Sequence, residues 1–241
     1  MILIFDLDDT LYDERSFVIS GLRAVAHHGE AEFGWDAGTS LHFMTGVLES
    51  KGRGRIFDDW LGAHGKCTRG RVNECVKIYR HHRPVLSLFP AARAVLDRYG
   101  SVLPLYLVTD GHKIVQRNKV DALGLWPHFR RVLITHRFGR HNAKPSTHCF
   151  ERIRESECCH WPDLIYVGDN PSKDFVNLNR IGARTVRVLT GVHRDRKASP
   201  EFDAQHTIAD LNELPRLLGE LIPAAIRAHR TADQPRTSST D

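Results

Sequence analysis

Short apolar runs that stop abruptly at polar residues recur along most of the chain. Ile2-Leu3-Ile4-Phe5 ends at Asp6, Asp8 and Asp9. Leu103 to Val108 runs into Thr109-Asp110-Gly111, Val132 to Ile134 into Thr135-His136, Leu164 to Val167 into Gly168-Asp169, and Thr185 to Leu189 into Thr190-Gly191. Continuous apolarity without alternation is the mark of a strand covered on both faces, as in a parallel sheet. Helical periodicity fills the intervals: Ala91 to Tyr99, Ile114 to Leu123 closed by Gly124, Ser146 to Glu155, and Ser172 to Ile181 closed by Gly182. Both glycines stand where a helix is expected to stop. The alternation predicts an α/β fold, a parallel sheet flanked by helices. Ligands of such sheets bind at the carboxyl ends of the strands.

The rhythm breaks between Asp13 and Leu88. This stretch has no convincing strand and reads as several helices punctuated by Gly34, Gly52-Arg53-Gly54 and Gly62. Roughly 75 residues cannot be an ordinary loop, since connections usually run a few residues plus a helix. The reading is an inserted helical subdomain over 13–88, with hinges at Tyr12 to Arg15 and Arg83 to Leu88, and a core formed by 1–12 and 89–226. Thr231 to Asp241 is polar, with Pro235 and a Ser/Thr run and no apolar period. A disordered tail is expected over 227–241.

Composition narrows the classes. A hydrophobic share of 41% can build a real core, and no apolar run approaches the ~20 residues a membrane helix needs. Asp6 and Asp8 stand where a signal peptide would need hydrophobes, so the expected location is cytoplasmic, away from membranes. The 34 Lys and Arg against 29 Asp and Glu leave a net charge of only +5, without a nucleic-acid motif or aromatic interleaving, so no nucleic-acid partner is expected. Five cysteines, an odd and scattered set, exclude a disulfide framework and read as buried or half-buried thiols. The adjacent pairs His27–His28 and His81–His82 lack the i, i+4 spacing that favours metal binding on a helix.

Polar clusters therefore stand at the tips of strands of one sheet: Asp6-Leu7-Asp8 with Thr10, then Thr109, Lys144-Pro145, and Gly168-Asp169 with Asp174. Singly each is ordinary, since an Asp after a strand is often a helix cap. Jointly, and in this order, the set resembles the phosphohydrolases of the haloacid dehalogenase superfamily. The four motifs read Ile2-Leu3-Ile4-Phe5-Asp6-Leu7-Asp8-Asp9-Thr10-Leu11, Leu107-Val108-Thr109-Asp110-Gly111, Ala143-Lys144-Pro145, and Tyr166-Val167-Gly168-Asp169-Asn170-Pro171-Ser172-Lys173-Asp174. The resemblance spans Met1 to about His193 apart from the insertion, which falls where this superfamily carries a helical cap. It implies a Rossmann-like core.

The resemblance also implies roles. Asp6 would be the nucleophile, forming an aspartyl-phosphate. Asp8 would be the acid and base for the leaving alcohol and the incoming water. Dehalogenases of the superfamily usually lack this second Asp, so it argues for phosphoryl transfer. Thr109 and the amide of Asp110 would hold the phosphoryl oxygens, with the amide of Leu7, and Lys144 would oppose the developing charge. Mg²⁺ would lie on Asp6, Asp169 and the carbonyl of Asp8. Asp174 would lie near the metal or tie down Lys144. Thr10 would support the loop by bonding nearby backbone, Gly111 would permit a tight turn under Thr109, and Lys173 would face water. The expected partner is a small phosphomonoester such as a sugar phosphate or nucleotide, and the expected state a monomer or homodimer. Alternatives are a phosphotransferase or phosphomutase of the same superfamily, or a catalytically silent binding protein.

Substrate choice in this superfamily lies mainly in the cap. The insertion holds Arg15, Arg23, His27, His28, Lys51, Arg53, Arg55, Trp60, Lys66 and Arg83. Several cations beside a phosphate pocket would suit a substrate with a second anionic group, although most of them are expected on a solvated face. Tyr12 and Arg15 would line the hinge. The loop Gly52-Arg53-Gly54-Arg55 would either reach the cleft or form a plain surface turn.

Overall fold

The computed structural model describes residues 1–221; the expected tail at 227–241, and 222–226 of the expected core, lie outside them. Six strands form one parallel sheet in the order β3-β2-β1-β4-β5-β6. They are β1 (Ile2–Phe5), β2 (Leu105–Thr109), β3 (Arg131–Ile134), β4 (Leu164–Gly168), β5 (Arg184–Val188) and β6 (His206–Ile208). The chain adds β2 and β3 on one side of β1, then returns to add β4 on the other. The switch point of the sheet lies beside β1, where open α/β sheets bind ligands. In the register, Phe5 stands beside Leu107 on β2 and Val167 on β4. Their carboxyl ends are therefore level, and Asp6, Thr109 and Asp169 leave the sheet along one edge.

The pleat sorts β1 between two apolar layers. Leu3 and Phe5 join a cluster with Leu107 and Val167, covered by α5 (Pro90–Tyr99), α6 (Lys113–Ala122) and α9 (Leu214–Leu221). Ile2 and Ile4 face the other way, onto Tyr106, Val108 and Tyr166, covered by α7 (His148–Ser156) and α8 (Val176–Arg180). Burial on both faces is why these strands read as unbroken apolar runs. β6 carries no such run: only Ile208 of its three residues is buried, and the pattern did not predict it. α8 is shorter than the expected helix because the Asp174 carboxylate accepts the amide of Asn170 at 2.9 Å, holding the preceding residues in a turn.

Between β1 and α5 lie α1 (Glu14–Phe33), α2 (Ala37–Lys51), α3 (Ile56–Ala63) and α4 (Arg69–His81). Asp13 caps α1 by accepting the amide of Arg15 at 2.9 Å, and Gly34 ends it in the left-handed conformation that favours glycine. The four helices bury their own cluster, including Leu22, Val25, Met44, Ile56 and Trp60. Trp60 is fully buried there, part of the core rather than a cleft wall. Two adjacent chain segments join this insertion to the sheet, tied where the amide of Phe89 donates to the carbonyl of Leu11 at 2.9 Å. Cys75 and Cys149 are buried as expected, whereas Cys67 and Cys158 are exposed. No helix among the described residues is long and apolar enough to cross a membrane.

Close packing inside the insertion gives an opposed pair of expectations. A Cβ on Gly29 of α1 would come 2.6 Å from the Trp60 ring, whereas one on Gly46 of α2 meets nothing within 4 Å. Helix propensity alone favours Ala over Gly by about 1 kcal/mol at either site. Gly46→Ala should therefore raise the denaturation midpoint. Gly29→Ala should lower it, because overpacking costs about 1–3 kcal/mol. Urea unfolding followed by circular dichroism checks both signs.

Candidate active site

Asp6 follows β1 and is buried. Its Oδ2 lies 3.0 Å from the Lys144 ammonium, which also meets Asp174 Oδ1 at 2.8 Å. Lys144 donates to the Tyr166 hydroxyl at 2.8 Å, and that hydroxyl donates on to Asp174 at 3.1 Å. Burial works against the charge on Lys144, but Asp174 and Asp6 outweigh it and hold the ammonium well above its ordinary range. Asp174, left open in the sequence between a place near a metal and a tie to Lys144, makes the tie to Lys144 and also joins a cluster of carboxylates. Carboxylate oxygens of Asp6, Asp169 and Asp174 lie within 4.8 Å of one another.

Those three carboxylates are crowded and buried. Burial, then Lys144 opposing and Asp174 reinforcing it, places Asp6 at about 6. Burial with Asp174 and Asp6 nearby pushes Asp169 to about 9. Lys144, the ammonium in contact with the cluster, cannot balance three carboxylates alone, and a divalent cation beside it would. The donors are all hard oxygens, with neither thiol nor imidazole in the cluster, which suits Mg²⁺ or a similar ion. The side chain of Asp8 lies outside this cluster, so a metal role for Asp8 would fall to its backbone carbonyl.

The Asp8 carboxylate is held by three donors. Tyr12 donates to Oδ1 at 2.7 Å, Lys119 to the same oxygen at 2.7 Å, and Gln116 to Oδ2 at 2.9 Å. The Gln116 amide also donates to Thr109 Oγ1 at 2.5 Å, so one buried side chain positions two of the expected site residues. Gly111, with φ +136°, brings the turn close to Gln116, where a Cβ would approach within 3.2 Å. Lys119 packs over the Phe17 ring at 4.6 Å and reaches Glu14 at 3.1 Å.

Asp110 uses its side chain as a clamp. It accepts from Thr135 at 2.8 Å, from the Lys144 amide at 3.1 Å and from Lys173 at 3.1 Å. Burial opposes its ionisation, but Lys144 and Lys173 keep its carboxyl below the ordinary range. Lys173 therefore does not simply face water: an acid of the second motif draws it inward. Thr10 also departs from expectation, since its hydroxyl is buried and has no hydrogen-bond partner among the described residues. Asp9 ties the loop down instead. It sits at φ 53° and accepts from the amides of Glu14 at 3.0 Å and Val192 at 3.2 Å.

A cleft of about 370 Å³ opens between the helical insertion and the sheet, lined by Asp8, Glu14, Arg53, Tyr79, Asp110 and Gln116 among others. Of the insertion's expected cations only Arg53 lines it. Arg15 turns to Glu49 at 2.6 Å, Lys51 to Asp59 at 2.7 Å, and Arg55 to Asp59 at 3.6 Å. Tyr12 is buried against Asp8 at the hinge, while Arg15 lines a separate hollow.

Sequence reasoning gave no role to Gln116, Lys119, Glu14, Asp9 or Tyr166. The available signal was the spacing of Gln116 and Lys119, three apart on the buried face of α6, where two polar residues require partners.

Residues 3–188 match the family of haloacid dehalogenase-like hydrolases, and the chain belongs to that family. A relative named glyceraldehyde 3-phosphate phosphatase, from Methanocaldococcus jannaschii, is 30% identical over 219 residues, covering 88% of this chain and 94% of its own. A phosphoserine phosphatase from Thermus thermophilus is 31% identical over 164 residues, covering 67% of this chain and 63% of its own. The HAD-family hydrolase YfnB of Bacillus subtilis, solved with magnesium bound, shares the fold at a TM-score of 0.65 and 19% identity, covering 90% of this chain and 97% of that one.

Glu14 provides a pH test of the charge network. Burial raises its pKa, but Lys119 and Arg53 more than reverse this and hold the carboxyl at about 2, against an ordinary 4.5. A depressed acid stabilises the fold fully above its unfolded value and loses that contribution as the pH falls through the folded one. Glu14→Gln should therefore lower stability at neutral pH and flatten its decline between pH 4.5 and about 2. Thermal unfolding across that window reads the difference in slope.

Proposed function

We propose that the protein is a phosphatase of small phosphomonoesters, dependent on Mg²⁺ and passing through an aspartyl-phosphate on Asp6. The observation that carries the reading is the meeting of Asp6, Lys144, Asp169 and Asp174 at the carboxyl edge of the sheet. The phosphatase names of the two relatives support the same class.

In this reading an Asp6 oxygen attacks phosphorus and the ester oxygen departs as the alcohol, taking a proton from Asp8. Asp8 then accepts a proton from water as the water oxygen attacks the same phosphorus. Inorganic phosphate leaves and Asp6 returns as a carboxylate. Thr109, the amide of Asp110 and Lys144 hold the phosphoryl oxygens, with the amide of Leu7 beside them. Lys144 also keeps Asp6 in place between attacks, with Asp110 and Tyr166 fixing the lysine. Asp6, Asp169 and the Asp8 carbonyl would hold Mg²⁺, with Asp174 beside them; the ion supplies the positive charge that offsets repulsion between a carboxylate and a phosphate dianion. The insertion, residues 13–88, acts as the cap that closes over the ester and limits access of water.

The test is release of inorganic phosphate from a panel of phosphomonoesters with Mg²⁺. Asp6→Asn should reduce kcat by at least about a thousandfold, and EDTA should abolish turnover reversibly. Radiolabelled phosphate that moves onto an added sugar hydroxyl instead of into solution would identify a phosphotransferase. Wild-type protein that releases nothing from any ester, p-nitrophenyl phosphate included, would refute hydrolysis.

A further inference from the structure

The cleft wall supplied by the insertion presents charges that cancel one another. Arg53, on the turn between α2 and α3, meets Glu14 with both ends of its guanidinium, at 2.6 and 3.2 Å. The same carboxylate accepts from Lys119 at 3.1 Å, and Lys119 reaches Asp8 at 2.7 Å. Arg53 and Lys119 thus already have carboxylates. Asp58 also lines the cleft and makes no side-chain hydrogen bond or ion pair among the described residues, so it adds an uncompensated acid. Arg80 is the one lining cation with no carboxylate partner among the described residues, and it is exposed on the last turn of α4. A charge in water is screened and acts on the phosphate that every candidate ester carries, without distinguishing one ester from another.

We infer that this wall selects phosphoesters whose organic part is uncharged, such as a short polyol or carbonyl compound, and that Glu14 sets the preference by cancelling Arg53. The inference rests on the phosphatase reading above. A second carboxylate on the substrate would enter a half-buried wall where Glu14 and Asp58 repel it, where Arg53 is already engaged and where Arg80 stands out in water. Without Glu14, Arg53 would offer its two parallel donors to that carboxylate. The wall's free acceptor, Asp58, suits hydroxyl groups. The cleft volume of about 370 Å³ lies near the small end of ligand sites.

Two esters of nearly equal size test this, because they differ only in an aldehyde against a carboxylate: glyceraldehyde 3-phosphate and 3-phosphoglycerate. Phosphate release is measured on both, with p-nitrophenyl phosphate as a generic ester. Wild type should favour the aldehyde in kcat/KM by at least about tenfold, the scale of one like-charge encounter at a partly buried site. Glu14→Gln should shrink that ratio, mainly by lowering KM for the carboxylate ester. Arg53→Met, which leaves Glu14 with only the lysine it shares with Asp8, should widen it, and Glu14→Asp, which keeps the charge, should preserve it. Each ratio is taken within one variant, so partial loss of folded enzyme cancels. Should Glu14→Gln fail to fold, Arg53→Met alone decides the sign. A wild-type ratio at or below one, a ratio unmoved in Glu14→Gln, or one narrowed in Arg53→Met overturns the inference. No release from any of the three esters overturns the phosphatase reading, and this inference with it.

Discussion

Three buried carboxylates gathered around a single ammonium govern the arrangement of the whole carboxyl edge of the sheet. Desolvation and mutual repulsion oppose ionisation of Asp6 and Asp169, so the cluster persists only if Lys144, the cation in contact with Asp6 and Asp174, is held rigidly beside them. Lys144 is fixed from several sides. Asp110 holds its backbone amide, Tyr166 takes its ammonium, and Asp174 meets both that ammonium and the Tyr166 hydroxyl. Thr135 and Lys173 in turn hold Asp110. Residues from several separate segments thus converge on one lysine, and the level register of β1, β2 and β4 permits it.

Much of this was legible in the sequence, for a physical reason. A buried parallel strand must be apolar along its length, and whatever ends it at the carboxyl tip is conspicuous. Asp6, Thr109 and Asp169 were visible because apolar runs pointed at them. Where burial is one-sided or brief the signal fades, as for β6, with its single buried Ile208. Polar residues inside apolar elements were harder still. Tyr166 reads as one more strand residue, yet its hydroxyl links Lys144 to Asp174. Gln116 and Lys119 read as ordinary positions of a helix, because periodicity says which face turns inward but not what that face meets. Lys173 was misjudged, and the place of Arg53 left open, for a related reason. A charge in a sequence carries no sign of its partner, and acids distant in the chain claim Lys173, Arg53 and Arg15.

Pairing of charge also shapes the boundary between the helical insertion and the sheet. Lys119 belongs to the sheet layer, Glu14 opens α1, and Arg53 lies well along the insertion, so one chain of contacts crosses from Asp8 to the far wall of the cleft. Beside it, the side-chain amide of Asn118 donates to the carbonyls of Arg80 and His82, each at 3.2 Å. These contacts are polar, and apart from the buried Lys119 their side chains reach water in part. Beside them, Phe17 of α1 is buried in the apolar cluster of the sheet layer, with Tyr79 of α4 packed against it.

The tie between Leu11 and Phe89 gives that boundary a mechanical character. The two segments that cross from sheet to insertion run side by side and share a backbone hydrogen bond at 2.9 Å, with Leu11 and Leu88 buried beside it. Sliding the insertion along the sheet would break that bond and bring both leucines into water. Rotation about the joined segments leaves all three in place. If the insertion moves against the sheet, this joint favours rotation about one pivot, and the cleft would then widen and narrow along one path.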